Sequence, residues 1–254
     1  MNEEKFTGKS DIYTQARPAY PSEFIEYLYG AVGFKADSTI ADFGSGTGIL
    51  TKILLARGST VYGIEPNKDM RESAEEQLKG FQKFTSVDSP AESTSLDDNS
   101  IDFITVAQAF HWFDKGQFQK ECTRILRPTG KVCLVWNVRN KQDEMVKECQ
   151  TVIRKYCPED IVDGIVENEH FLDFFKGELC ERRVFEQLQP CDKATFLGVH
   201  LSRSYAPKEG EANYDAFVQG FSRIFEKHSN SEGILEIPYT THSFVGEVAL
   251  DKKI

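Results

Sequence analysis

Three glycines at alternate positions, Gly44, Gly46 and Gly48, stand between the apolar run 40–43 and a second apolar run that begins at Ile49. Glycine allows positive φ angles and lets a ligand approach the main chain where a Cβ would block it. The spacing therefore predicts a nucleotide-binding turn between a strand and a helix. The binding site is expected at the carboxyl end of that strand, the first of the sheet.

Two carboxylates accompany the turn and narrow the choice of ligand. Asp42 lies two residues before Gly44, where a carboxylate would repel a pyrophosphate but attract a ligand that carries an ammonium and a sulfonium. Glu65 ends the second predicted strand, at about the position where an acidic residue hydrogen-bonds both hydroxyls of an adenosine ribose. The ligand that combines these features is S-adenosylmethionine. A nicotinamide dinucleotide on a related turn is the alternative, although Ile49 fills the position of the last glycine in the dehydrogenase pattern G-x-G-x-x-G.

The elements that must position these residues alternate regularly between strand and helix, which indicates a parallel sheet with right-handed crossovers. Strands are predicted near residues 39–43, 60–65, 82–87, 101–106 and 131–137, and helices near 47–57, 67–78 and 114–126. Farther along the chain we predict a strand near 183–188, helices near 192–202 and 211–228, and a last strand over 234–245. Before the first strand, a short helix is expected over 11–16, followed by one that starts at Pro21, a favoured first helical position, and ends near Tyr29.

The fourth strand delivers the run Ala-Gln-Ala-Phe-His-Trp-Phe, residues 107–113, at its carboxyl end. In a doubly wound sheet the first and fourth strands flank the point where the strand order reverses, and ligands bind in the crevice above that point. Histidine titrates near neutral pH, so His111 could act as a base toward an acceptor or hydrogen-bond to it. The alternative is that His111 only packs between Phe110 and Trp112. Asp114 is interpreted as the N-cap of the following helix.

Taken together, the segment from Asp42 to Glu65 resembles the first two motifs of class I S-adenosylmethionine-dependent methyltransferases. Other segments are similar to the type-eleven family of small-molecule methyltransferases, which includes enzymes that act on trans-aconitate. These segments are residues 107–113, Tyr13-x-x-x-Arg17-Pro18-x-Tyr20-Pro21, Trp136-Asn137-x-Arg139, Ser202-x-Ser204-Tyr205-Ala206-Pro207 and Tyr239-Thr240-Thr241. The resemblance spans nearly the whole chain, with the more specific motifs in the first half.

The resemblance implies an α/β fold with a Rossmann-like, doubly wound, seven-stranded and mostly parallel sheet whose last strand is antiparallel. The expected divisions are an N-terminal helical lid over residues 1–38, a cofactor-binding core over 39–140, a helical cover over 141–180 above the acceptor pocket, and a C-terminal part over 181–254 that completes the sheet. The aromatic run Phe171-Leu172-Asp173-Phe174-Phe175 is expected to form the core of the cover.

The resemblance also implies roles for individual residues. The expected cofactor-binding residues are Asp42, Gly44, Ser45, Gly46, Gly48, Glu65, Pro66, Ala91, Glu92 and Gln108. The expected acceptor-site residues are Tyr13, Arg17, Tyr20, His111, Trp112 and Arg139, of which His111 and Tyr13 are the candidate bases. In the family an Asp often reaches the adenine amine. Because Pro90 stands there in this chain, we assign the adenine edge to Ala91 and Glu92.

The predicted reaction is methyl transfer from S-adenosylmethionine to a small-molecule acceptor, with S-adenosylhomocysteine as product. A carboxylate acceptor is one hypothesis, because Arg17 and Arg139 could hold a carboxylate by bidentate hydrogen bonds. Each arginine could instead be structural, Arg17 as a helix cap and Arg139 as a surface residue paired with an acid, and Tyr13 and Tyr20 could merely pack. Two other interpretations of the chain stay open: an NAD-dependent oxidoreductase and a non-catalytic cofactor-binding module.

Composition limits the partners. The 254-residue chain has a formal net charge of -10 and a pI near 5.1, which argues against nucleic acid, since phosphate binding needs clustered Lys and Arg. The six cysteines show neither a C-x-x-C pair nor the His spacing of a zinc site, so we expect reduced thiols and no metal. No apolar run approaches the ~18 residues of a membrane span. We therefore expect a cytoplasmic protein, a monomer or a homodimer, with neither a nucleic-acid nor a membrane partner.

Overall fold

The computed structural model describes residues 18–156, 173–175, 180–201 and 206–249. Seven strands in this part of the chain form one sheet: β1 (Thr39–Phe43), β2 (Thr60–Ile64), β3 (Phe84–Val87), β4 (Ile101–Ala107), β5 (Leu126–Arg139), β6 (Glu181–Cys191) and β7 (Leu235–Gly246). The order across the sheet is β3-β2-β1-β4-β5-β7-β6. β1 pairs in parallel with β2 and β4, whereas β7 runs antiparallel to both β5 and β6. The predicted fold is confirmed, including the antiparallel last strand.

Helices connect most of these strands. They are α1 (Ser22–Tyr27), which continues into a π-helical turn over Leu28–Val32, α2 (Ile49–Ala56), α3 (Lys68–Leu78), α4 (Lys115–Ile125), α5 (Glu144–Tyr156), α6 (Lys193–Leu201) and α7 (Tyr214–His228). The predicted N-cap at Asp114 is confirmed, because its Oδ1 accepts a hydrogen bond from Gln117 N over 3.0 Å. Pro21 is the N-cap of α1 rather than its first helical residue, since its ψ of 147° is extended.

Alternation along the strands divides the apolar side chains between the two faces of the sheet. One face packs Phe43 and Val106 against Phe118 of α4. The other packs Ile40 and Phe103 against α1, α2 and α3. Strands covered on both faces are typical of a parallel sheet. The carboxyl ends of β1 and β4 are therefore held firmly side by side.

Phe174 and Phe175 belong to the core beneath the sheet rather than to a separate cover. Phe174 stacks on Phe118 with ring centroids 5.6 Å apart and packs edge-on against Phe110 at 5.1 Å. The main chain of Phe175 forms a β-bridge with Val248. The prediction that these two side chains form the core of the cover is therefore wrong. Nothing in the local sequence indicates that the chain returns to the sheet here.

Helices α5, α6 and α7 pack together in a third apolar cluster, which we call the helical layer. Phe196 of α6 and Phe221 of α7 are in contact, with ring centroids 5.9 Å apart. Tyr239 of β7 also belongs to this cluster, and it pairs with Arg139 at the end of β5. The helical layer therefore lies against the end of the sheet where β5 reaches its last residue. Two of its three helices, α6 and α7, belong to the segment 181–254.

Three further findings concern the cysteines, metal sites and helices in the described ranges. The five cysteines in the described ranges are free thiols, and Cys133 is buried in β5. No group of three or more His, Cys, Asp or Glu within those ranges is placed to hold a metal ion. None of the described helices is both long and apolar enough to cross a bilayer.

Candidate active site

The turn between β1 and α2 uses its three glycines in different ways. A Cβ on Gly44 would lie 2.4 Å from the Cβ of Ala109, and a Cβ on Gly48 would lie 2.8 Å from Leu78 Cδ1. These two glycines let the turn pack closely against its neighbours. Gly46 has a φ of +56° and no atom within 4 Å of the place where its Cβ would stand. Its main chain faces open space that a ligand can enter.

An open cleft lies over this main chain. It is lined by Pro18, Tyr20, Asp42, Gly44, Ser45, Gly46, Thr47, Ile49, Leu50, Ala107, Gln108 and Asn137. The cleft stands above the carboxyl ends of β1 and β4, where the strand order reverses. It gathers several residues of the predicted cofactor set, together with Tyr20 of the predicted acceptor set. Their binding roles stay predictions.

Thr47 places an unsatisfied polar atom at this cleft. The residue is 2% exposed, and its Oγ1 has no hydrogen-bond partner in the described part of the chain. A buried polar group left without a partner costs about 1–3 kcal/mol. The hydroxyl and the open main chain of Gly46 therefore fit a ligand that brings polar groups of its own, as the predicted cofactor does.

Asp42 is fully buried at the end of β1, and both of its carboxylate oxygens accept hydrogen bonds. Thr105 Oγ1 on β4 donates to Oδ1 over 2.7 Å, and Thr51 Oγ1 on α2 donates to Oδ2 over 2.6 Å. Burial raises the pKa of Asp42 from 3.8 to about 6, although the two hydroxyls oppose this rise. Ionising the carboxyl thus costs more free energy in the folded protein than in the unfolded chain, and a cationic ligand would offset that cost.

Glu65 joins the glycine turn to the start of α3. Its Oε2 accepts a hydrogen bond from Gly46 N over 3.0 Å, and its Oε1 accepts one from Asn67 N over 2.9 Å. Arg71 Nη1 donates to the main-chain carbonyls of Glu65 and Pro66 over 2.9 and 3.1 Å, which fixes the end of β2. The carboxylate is therefore held beside the open main chain, where a ribose lying on the turn would meet it.

Gln108 has a left-handed main chain, with φ +62°, directly after β4. For a residue other than glycine this conformation costs about 1–2 kcal/mol. Two hydrogen bonds to β5 hold it: Gln108 N donates to Val135 O over 2.9 Å, and Nε2 donates to Asn137 O over 3.0 Å. Backbone strain of this kind clusters at functional sites, which is consistent with the place of Gln108 in the cleft.

His111 and Trp112 lie on the 3₁₀ turn Phe110–Trp112, outside the residues that line the cleft. Their rings are 4.7 Å apart, and Trp112 is 39% exposed. Phe110 is buried in the core and anchors the turn. The two exposed rings are thus presented outward next to the cleft, and their role toward an acceptor stays a prediction.

The loop 88–100 between β3 and β4 carries the two residues predicted at the adenine edge. Ala91 is buried in the apolar core, and Glu92 Oε1 accepts a hydrogen bond from Asp114 N over 2.8 Å. Glu92 thus ties the loop to the start of α4, a structural contact that the sequence did not indicate. Neither residue lines the cleft over the glycine turn, and their assignment to adenine stays a prediction.

Arg139 points toward the helical layer. Its Nε donates to Tyr239 Oη over 3.5 Å, and its Nη1 lies 3.3 Å from His200 Nε2. Because arginine carries donors only, His200 Nε2 is the acceptor in this contact. His200 is 1% exposed and stacks on Phe221 with ring centroids 3.8 Å apart. The guanidinium is therefore held between β7 and α6 and is not a surface group.

Several predicted residues lie outside the described ranges. They are Tyr13, Arg17, Phe171, Leu172 and residues 202–205. Tyr20 lines the cleft, and its ring also packs 5.8 Å from that of Phe24. Both roles considered for Tyr20, packing and contact with a ligand, are therefore open to it.

Sequence reasoning missed the residues that hold the site in place. Thr51 and Thr105 lie 9 and 63 positions from Asp42 along the chain, so only the folded structure brings the three together. His200 likewise reaches Arg139 from another element. One signal was available, because Thr105 is a polar residue within the otherwise apolar run of β4 and is completely buried.

Gly46→Ala tests whether the open main chain is a binding surface. The added methyl group would stand where a ligand must approach. Overpacking of this size costs about 1–3 kcal/mol. We therefore expect roughly a tenfold loss of affinity for S-adenosylhomocysteine. Gly210→Ala is the matched control, since Gly210 also has a positive φ of +89° and no atom within 4 Å of its Cβ position. Both variants should lose similar stability in thermal unfolding. Equal affinities in titration calorimetry would show that Gly46 does not contact the ligand.

The strand order and the glycine turn at the reversal point define a doubly wound, Rossmann-like architecture, with an acidic residue directly after β2. Residues 41–134 match the family model described as a methyltransferase domain.

Similar sequences carry the same description. An uncharacterized methyltransferase of Mycobacterium tuberculosis is 38% identical over 148 residues, which make up 58% of this chain and 58% of that protein. An uncharacterized methyltransferase of Schizosaccharomyces pombe is 34% identical over 155 residues, 59% of each chain. The chain thus spans about three fifths of the length of these relatives.

Solved structures share the fold. A chain from Anaeromyxobacter dehalogenans described as a type II methyltransferase superposes with a TM-score of 0.68 at 21% identity, over 91% of this chain and 97% of that one. A chain from Anabaena variabilis described as a methyltransferase from an antibiotic biosynthesis pathway gives a TM-score of 0.56 at 18% identity, over 93% and 99%. At these identities the likeness is one of fold.

Proposed function

We propose that this protein transfers the methyl group of S-adenosylmethionine to a small-molecule acceptor. The observation that carries the proposal is the open main chain of Gly46, set between the buried carboxylate of Asp42 and the fixed carboxylate of Glu65. The two negative charges suit a cationic ligand, and the second stands where ribose hydroxyls would need an acceptor. The methyltransferase-domain match of residues 41–134 supports the same reaction class.

The protein's share of this chemistry is positioning. When bound, S-adenosylmethionine supplies an electrophilic methyl group on a sulfonium, which is a good leaving group. The chain has to align the acceptor and exclude water, and alignment can contribute about 7–11 kcal/mol. Tyr20 and Gln108 form walls of the cleft that would do so. A carboxylate acceptor needs no base, whereas a hydroxyl, amine or carbon acceptor would call on His111 or Tyr13.

A carboxylate is the acceptor that the arginines favour. Arg139 is oriented by Tyr239 and His200, so its planar fork is set before any ligand arrives. A pre-oriented guanidinium is suited to bidentate binding of a carboxylate. Arg17, which precedes Pro18 in the chain, is the second proposed contact. In this proposal the helical layer beside Arg139 selects the acceptor.

A comparison of ligands tests the reaction class. We expect titration calorimetry to detect S-adenosylhomocysteine binding and no binding of NAD; the reverse result would favour an oxidoreductase and end the proposal. Protein that binds S-adenosylhomocysteine is then incubated with methyl-labelled S-adenosylmethionine and a panel of small acids, alcohols and amines. Transfer of label to an acceptor is the expected result. Binding without transfer to any acceptor would indicate a non-catalytic module.

Arg139→Met tests the carboxylate acceptor. A charge-assisted bidentate pair contributes about 2–3 kcal/mol, so kcat/KM for an acid acceptor should fall roughly 30- to 100-fold. KM for S-adenosylmethionine should stay unchanged. Arg182→Met, on the exposed part of β6, is the matched control. Retained turnover of an acid by a variant that lacks both Arg139 and Arg17 would rule out the arginine clamp.

A further inference from the structure

The segment Pro18–Tyr20, which we call the strap, forms one wall of the cleft. Pro18 and Tyr20 both line it, and the strap leads directly into the cap of α1. Asn137, at the carboxyl end of β5, reaches this strap. Its Nδ2 donates to Pro18 O over 3.4 Å and to Ala19 O over 3.3 Å. One side-chain amide nitrogen thus donates to two consecutive carbonyls of the strap.

The Asn137 amide is also held from the opposite side. Thr241, its partner across the β5–β7 pair, is fully buried and donates its hydroxyl to Asn137 Oδ1 over 2.5 Å. A flipped amide would turn its oxygen toward two carbonyl oxygens, which cannot donate. The strap carbonyls therefore require this orientation of Asn137, and the Thr241 hydroxyl donates to the amide oxygen on the other side.

Asn137 also contacts the cofactor side of the cleft. Its main-chain carbonyl accepts the hydrogen bond from Gln108 Nε2, the side chain of the left-handed residue after β4. Three separate parts of the molecule meet at this residue: the strap, β7 and the end of β4. A change in the Asn137 side chain therefore acts where the wall of the cleft joins the sheet.

We propose that Asn137 is a positioning residue that holds the strap as a wall of the cleft and so retains the bound cofactor. The inference rests on the proposed function, because it concerns the ligand of the same cleft. With the strap in place, a ligand on Gly46 is enclosed between the turn and Tyr20. When the amide is lost or misoriented, the wall opens and the ligand leaves sooner, whereas its entry is little affected.

Two substitutions remove this contact in different ways. Asn137→Asp replaces the donating amide with a carboxylate oxygen that faces the carbonyls of Pro18 and Ala19. Thr241→Val keeps the shape of the buried residue but removes the hydroxyl that holds the Asn137 side chain. Thr241→Ser restores that hydroxyl. Thr240→Val is the matched control, because Thr240 is the adjacent residue of β7 and its hydroxyl bonds to Val138 O and His242 instead.

The first measurement is the dissociation rate of S-adenosylhomocysteine from the full chain, followed by intrinsic tryptophan fluorescence in a stopped-flow instrument. The second is a melting curve for each variant. Loss of one or two neutral hydrogen bonds predicts a rate roughly threefold faster in Thr241→Val and roughly tenfold faster in Asn137→Asp. Association rates should stay within about twofold of wild type. Thr241→Ser and Thr240→Val should both release S-adenosylhomocysteine at the wild-type rate.

The outcomes separate this proposal from the proposed function. If wild-type protein binds S-adenosylhomocysteine and Thr241→Val releases it at the wild-type rate, the positioning role of Asn137 is wrong and the proposed function stands. A lowered melting temperature with an unchanged dissociation rate would mean that the contact is only structural, which also overturns the proposal. Failure of wild-type protein to bind the ligand would instead remove the proposed function, and this inference with it.

Discussion

Replacing Glu65 with alanine is expected to weaken S-adenosylhomocysteine binding by roughly 100-fold or more, because hydrogen bonds to a charged acceptor contribute about 1.5–3 kcal/mol each and a ribose offers two hydroxyls. The loss of affinity should exceed the loss expected from the two ribose hydrogen bonds alone. The same carboxylate accepts a hydrogen bond from Gly46 N and so also holds the turn on which the ligand lies. Titration calorimetry at one pH and one salt concentration measures the effect directly.

Glu65→Gln separates the charge of this side chain from its shape. Both oxygens of Glu65 accept main-chain N–H groups, from Gly46 and Asn67, whereas glutamine has only one oxygen. One of those N–H groups would then face an amide that cannot accept, so most of the alanine effect should remain. Glu72→Gln is the matched control, since Glu72 lies on the exposed side of α3 near Lys68. Equal affinities of the two glutamine variants would remove Glu65 from the binding site.

Asp42→Asn is expected to stabilise the ligand-free protein. The folded-state pKa of Asp42 is raised from 3.8 to about 6, so the folded chain holds this proton more tightly than the unfolded chain does. Ionisation therefore costs stability, and the cost grows as the pH rises from about 4 to 6 and is constant above that. The difference corresponds to at most ~3 kcal/mol, which asparagine avoids. Melting temperatures should rise above pH 6 relative to wild type and should agree with wild type near pH 4.

The same substitution should weaken binding of the cationic donor. In wild-type protein, affinity for S-adenosylmethionine should increase between pH 5 and pH 7 as Asp42 ionises. The asparagine side chain carries no charge at any pH, so that part of the increase should vanish, and affinity at pH 7.5 should fall roughly tenfold, the equivalent of ~1.4 kcal/mol. Asp37→Asn, at an exposed position, serves as the control. A variant with wild-type affinity and a wild-type pH profile would contradict the electrostatic role.

The positions of the expected cofactor residues in the fold could be predicted because the signals for them are local. Asp42, Gly44 and Gly46 lie within one strand end and one turn, and Glu65 directly follows the next strand. β1 and β2 are parallel neighbours in the sheet, so the residues at their carboxyl ends lie close together. The supporting contacts could not be predicted in this way, because Asn137 lies 118 positions from Ala19 and no local pattern records that pairing.

The acceptor side illustrates the same limit. Arg139 could be placed at a strand end from its sequence, but its neighbours Tyr239 and His200 come from elements 100 and 61 positions away. The run around Phe174 was assigned to the wrong core because aromatic content predicts burial without saying against which surface. The identity of each buried neighbour depended on the packing of distant elements, which a single sequence does not encode locally.

The place of β7 in the strand order has a consequence for how the protein is made. β7 follows the other six described strands in sequence, yet it is inserted between β5 and β6, where its Thr241 contacts Asn137 and its Tyr239 contacts Arg139. A nascent chain that has emerged only as far as α7 can form the glycine turn but cannot seat β6 or orient Asn137. Ligand retention during synthesis should therefore begin only once β7 has left the ribosome, and a ligand would stabilise the finished chain far more than its truncated precursor.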